Sequence, residues 1–77
     1  MDLFERVKQV IEEQLDVGDV KITPDTELLT DLDINSLDLV ELVCAFEVAF
    51  DLVVPEKDIR KFARVKDIMS YLEAAGA

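Results

Sequence analysis

Between about Ser36 and Phe50 the chain carries apolar residues on two sides of a helical wheel, and no other feature limits its fold so strongly. Laid out at about 100° per residue, Leu39, Leu42, Val43, Phe46, Ala49 and Phe50 fall on one side as a core face. Leu37, Val40, Cys44 and Val48 form a second apolar stripe on the other side, bordered by Glu41 and Glu47. Such a helix is either central in a small bundle and buried nearly all round, or it keeps one stripe for a partner.

The segment Asp33–Leu42 joins a polar, acidic loop to this helix. Asn35 or Ser36 can cap it, since each has a side-chain oxygen that accepts an unpaired N–H of the first turn. The Ser36 hydroxyl then sits at the positive end of the helix dipole. An anion attached there is favoured by roughly 0.3–1 kcal/mol at an exposed site. As a plain cap Ser36 needs no further role, and both roles are compatible if Asn35 caps while Ser36 projects outward.

Leu3, Phe4, Val7, Val10, Ile11 and Leu15 recur at helical spacing and predict a first helix over about Asp2 to Asp16, with Asp2 and Glu5 suiting its dipole and Gly18 ending it. A long loop follows from Asp19 to Ile34. It turns at Thr23-Pro24-Asp25 and is pinned over the core by Leu28, Leu29, Leu32 and Ile34. Leu52-Val53-Val54 is short and apolar but has no partner strand, so it reads as an extended connector. Pro55 suits the first turn of a short helix through about Lys61, with Ile59 and Phe62 pointing inward. The last helix, about Val65 to Ala74, places Val65, Ile68, Met69 and Leu72 on one face, Tyr71 at the edge and Gly76 just past the end. Arg64 precedes it, and a cation at a helix N-terminus is unfavourable, so fraying is expected there.

Seventy-seven residues make one domain, 1–77, with a small core. The net charge of -10 opposes compaction, and screening by salt or divalent cations is expected to stabilise the fold. Between Asp25 and Asp51 there are eight acids and no Lys or Arg. A merely solvated face explains most such runs, but this one surrounds Ser36. Acidity disfavours nucleic acid and anionic membranes and favours basic protein patches.

Cys44 is the only cysteine, which excludes an internal disulfide and fits a reducing compartment. No histidine is present, so a Cys-His or Ser-His pair and an ordinary zinc site are excluded. Without a signal peptide or a membrane-spanning apolar run, a cytoplasmic location is expected. Asp31, Asp33 and Asn35 match the first ligand positions of an EF-hand loop, but Ser36 stands where the turn needs Gly and Leu42 where a bidentate Glu is required. Weak cation binding by the carboxylates is all that survives of that reading, and no metal site is assigned.

Asn35-Ser36-Leu37-Asp38-Leu39-Val40-Glu41-Leu42-Val43 resembles the attachment site of acyl carrier proteins, in which a serine, most often preceded by Asp and followed by Leu, bears a phosphopantetheine arm through a phosphodiester. The similarity extends over nearly the whole chain: first helix, long loop, serine-headed helix, Phe50-Asp51, Val54-Pro55 and a final helix opening Val65-Lys66-Asp67-Ile68. It implies an all-α fold, a small antiparallel-type four-helix bundle with a long first loop and a short third helix.

The resemblance also implies that the chain is no enzyme. A phosphopantetheinyl transferase would move the arm from coenzyme A onto Ser36, and the arm's thiol would hold acyl groups as thioesters for enzymes of fatty acid or related acyl-chain biosynthesis. Those enzymes would present basic patches. Asp38, Glu41 and Glu47 would steer them, and Leu37, Val40, Cys44 and Val48 would make the apolar contact. Phe46, Ile59, Phe62 and Ile68 would line a space for the acyl chain, and a tightly filled one would shorten the chain tolerated. A monomer without membrane insertion is expected. The alternative from another class is a small helical adapter without a prosthetic group.

Two departures from the family pattern stand out: Asn35 where Asp is usual, and Val48 and Ala49 at positions frequently acidic. With the basic cluster Lys57, Arg60, Lys61, Arg64 and Lys66, they imply either a carrier with specialised partners or neutral drift.

Overall fold

In the computed structural model, which describes residues 2–18 and 20–76, the elements are α1 (Leu3–Gln14), α2 (Ser36–Phe50), α3 (Glu56–Ile59) and α4 (Val65–Ala74). α1 packs on α2 and α4, and α2 packs on α3. Phe46, Ile11, Leu28, Leu42, Ile68 and Leu72 are the largest fully buried side chains, so α1, α2, α4 and the long loop all feed one core. The expected four-helix, all-α architecture is what the chain adopts.

Asp2 starts α1 by accepting the Glu5 N–H at 2.8 Å. The helix stops before Gly18, because Leu15 turns extended (φ -123°, ψ 146°) and lies half-buried against the core. Gly18 instead adopts φ +58° farther on, where the Val20 N–H reaches the Val17 carbonyl at 3.1 Å.

The loop is fastened to the start of α4. Leu28 N–H donates to the Ala63 carbonyl (2.9 Å), Val65 N–H to Thr26 (3.0 Å) and Lys66 N–H to Pro24 (2.8 Å). The Thr23–Thr26 turn forms as expected, and buried Thr26 closes it by accepting the Thr23 N–H at 2.8 Å. Leu28 and Leu32 are buried and Ile34 is half-buried. Leu29 is not an anchor: the Asp31 N–H bonds to the Glu27 carbonyl as in a helical turn, which aligns Leu28 with Leu32 and turns Leu29 outward. Ile22 is a buried anchor that spacing did not single out.

α2 buries Leu39, Leu42, Val43 and Phe46, while Phe50 is half-buried beneath Arg6, whose guanidinium carbon lies 4.3 Å from the ring centroid. Ala49, expected on the core face, is exposed in an open groove that it and Phe50 share with Arg6, Gln9, Val10 and Glu13 of α1. Asp51 ends the helix in the left-handed conformation (φ 53°). The connector is extended, as expected, with Val54 buried and Val53 outside. Pro55 sits one position before α3 as its N-cap, with ψ 147°. α3 itself ends at Ile59, short of Lys61, and continues as a tight turn in which the Phe62 N–H bonds to the Ile59 carbonyl at 3.1 Å.

α4 has the expected bounds and face, with Val65, Ile68 and Leu72 buried. The fraying expected from Arg64 finds no support. Its guanidinium swings back to the Asp25 carbonyl (2.9 Å) and Glu27 (3.2 Å), and the Asp67 carboxylate accepts the Arg64 and Ala63 N–H groups at 2.9 and 3.0 Å. Those two bonds, Arg64's the stronger, hold the Asp67 carboxyl below the ordinary carboxylate value.

Candidate functional site

The start of α2 resolves which residue caps the helix. Asn35 is extended (φ -100°, ψ 180°), its Oδ1 accepts the Asp38 N–H at 2.9 Å, and Asp38 Oδ2 accepts the Asn35 N–H at 3.3 Å. Ser36 is therefore left out of the cap as the first helical residue, and its side chain is exposed. Asp38 is half-buried and committed to this box, so one of the expected steering carboxylates also holds the helix start.

Ser36 opens onto a cleft of about 460 Å³ between α2 and α3. Leu39 and Val40 form its α2 wall, Ile59 and Phe62 its far wall, and Leu29 closes the loop side. Glu56 and Arg60 of α3 stand at its rim. Of the residues expected to line an apolar space, Ile59 and Phe62 do so. Phe46 and Ile68 do not: each is about 2% exposed and is consumed by core packing behind the cleft. Leu29, Leu39, Val40, Glu56 and Arg60 were absent from that expectation, Val40 having been placed only on the partner surface. No sequence signal set Leu29 apart from the neighbouring loop leucines. Phe62 is held by the Tyr71 ring, edge-on at 5.5 Å, and Tyr71 donates its hydroxyl to Asp58 at 3.0 Å. Burial, and then that bond, push the Tyr71 hydroxyl above its ordinary value.

The second apolar stripe of α2 faces outward, which decides between the two readings left by periodicity. Leu37 is 66% exposed and Val48 85%, and Val40 and Cys44 are also exposed. Glu41 lies exposed beside them. Glu47 is turned away from this surface, its Oε2 accepting the Val54 N–H at 2.9 Å. The basic cluster is largely neutralised: Arg60 pairs with Glu56 (3.5 Å), Lys61 with Asp58 (3.5 Å), Arg64 with Glu27 (3.2 Å) and Lys66 with Asp25 (3.3 Å). Asp31 accepts the Glu27 N–H and Asn35 the Asp38 N–H, so two of the three EF-hand-like side chains are engaged with backbone. Among the described residues no His, Cys, Asp or Glu group is arranged to hold a metal ion.

A family model described as "Phosphopantetheine attachment site" matches residues 5–72. The acyl carrier protein of Helicobacter hepaticus is 43% identical over 74 residues, spanning 96% of this chain and 97% of that protein. That of Helicobacter pylori is 42% identical over 73 residues (95% and 94%), and that of Bdellovibrio bacteriovorus 43% over 76 residues (99% and 97%). The chain belongs to the acyl carrier protein family.

Members of this family are carriers rather than enzymes, and their prosthetic group is covalently attached phosphopantetheine. The residues present fit such a group. Ser36 offers an exposed hydroxyl at a helix N-terminus, where an anion is stabilised, and the adjoining cleft is apolar with a polar rim. An adapter without a prosthetic group is not favoured by this membership. No helix among the described residues is long and apolar enough to cross a membrane.

Proposed function

We propose that the chain carries acyl groups on a phosphopantetheine arm joined to the Ser36 hydroxyl. The observation that supports this assignment most is the division of labour at the head of α2, where Asn35 takes the cap and leaves Ser36 exposed at the mouth of the cleft. When bound, the arm supplies a terminal thiol that holds acyl groups as thioesters. Ser36 fixes its base to a rigid helix end, and the α2 dipole stabilises the attached anion.

The outward stripe Leu37, Val40, Cys44 and Val48 gives partner enzymes an apolar contact, and Glu41 with Asp38 draws their basic patches. Glu47 adds field rather than direct contact, because it is engaged with Val54. Such partners are a phosphopantetheinyl transferase and enzymes that build or transfer acyl chains in the cytoplasm, in fatty acid synthesis or a related route, met by a monomeric carrier in brief encounters. Leu39, Val40, Ile59 and Phe62 shelter the first part of a folded-back cargo. Phe46 and Ile68 close the space behind them, which favours short chains.

Incubation with coenzyme A, magnesium and a broad-specificity transferase, followed by intact-mass analysis, tests the assignment. A gain of one arm by the wild type and none by Ser36→Ala supports it. A gain retained in Ser36→Ala, or absent from the wild type, overturns it.

A further inference from the structure

A phosphodiester on Ser36 enters an acidic neighbourhood. The span Asp25–Asp51 holds no Lys or Arg, and Asp33, Asp38 and Glu41 lie close to Ser36 in sequence. The fold nevertheless brings one cation to the same cleft, Arg60 of α3. We propose that Arg60 is the counter-ion of the phosphodiester on Ser36, releasing Glu56 to pair with it and so laying the base of the arm across the cleft against α3. This rests on the reading that Ser36 bears the arm.

Three features carry it. The Arg60–Glu56 pair is loose, at 3.5 Å with both side chains 80% exposed, and exposed pairs of this kind contribute little to stability, so the exchange costs little. The neighbouring cations pair elsewhere and do not line the cleft: Lys61 with Asp58, Arg64 with Glu27 and the Asp25 carbonyl, and Lys66 with Asp25. Arg60 also lines an adjoining cleft with Leu29 and Phe62, and at 80% exposure its planar head, whose paired N–H groups match two phosphate oxygens, is free to reorient.

The test compares apo and holo forms of the wild type, Arg60→Gln and Lys57→Gln. Lys57 is exposed on the same short helix and does not line the cleft. Intact mass reports whether each chain bears the arm, 31P NMR reads the phosphodiester, and melting at low and high salt gives the holo-minus-apo shift in Tm. In Arg60→Gln the 31P resonance is expected to move and most of the salt-sensitive part of the Tm shift to vanish, while Lys57→Gln keeps both. The proposal is overturned if Arg60→Gln bears the arm and matches wild type in both readouts, or if Lys57→Gln changes as much as Arg60→Gln. A wild type that gains no mass defeats the carrier reading itself, a result distinct from either.

Discussion

Glu47 reaches out of α2 to accept the Val54 N–H at 2.9 Å, closing a ring across the left-handed turn at Asp51. This side chain sets where the connector leaves the helix, and hence where α3 stands over the cleft. Glu47→Ala leaves a part-buried N–H without its partner, a loss of about 1–3 kcal/mol. Urea denaturation should show it. Hydrogen exchange at Ile59 and Phe62 should accelerate more than at Ile11, and equal acceleration throughout would contradict the clasp.

Asn35 and Asp38 divide the capping of α2 between them. Asn35→Ala is expected to cost about 1 kcal/mol, whereas Asn35→Asp should stay within a few tenths because Asp caps about equally well. A neutral Asn35→Ala would show that the cap contributes nothing to stability. Because Asn35→Asp restores the negative charge common in the family, it should also speed modification by a standard transferase, measured as initial rate by intact mass.

The depressed Asp67 carboxyl gives a pH prediction with a definite sign. Its folded-state value lies below the ordinary 3.8, so its contribution is fully present above the unfolded value and is lost as pH falls through the folded one. The stability difference between wild type and Asp67→Ala should be flat near neutrality and shrink below about pH 4. A difference that grows on acidification would refute the assignment of those two backbone bonds.

Val48 and Glu41 project from α2 without serving the core. Val48→Asp and Glu41→Lys should each change stability by no more than about 0.5 kcal/mol. Both should raise the KM of the transferase for this chain, Glu41→Lys with the stronger salt dependence. Unchanged kinetics in both variants would remove the outward stripe from the recognition surface.

The legible parts of this fold are those governed by local repetition. α4 is bounded as its 3.6-residue pattern predicts, because Val65, Ile68 and Leu72 recur on one face. α1 ends at Gln14, short of its pattern, and Leu15 leaves the helix extended while still packing half-buried against the core. Leu29 looked like a core leucine since composition does not reveal a helical turn inside a loop, and Arg64 looked misplaced because its partner Glu27 is remote in sequence.

By itself the sequence determined that the chain is helical, acidic and headed at α2 by an Asn-Ser pair, since periodicity, charge and capping chemistry act over a few residues. Only tertiary structure decided that the second stripe stays in water and that Leu29, Ile59 and Arg60 meet at Ser36. Those outcomes depend on bonds such as Leu28 N–H to Ala63. They join segments far apart along the chain, and their register is chosen by packing the whole core at once.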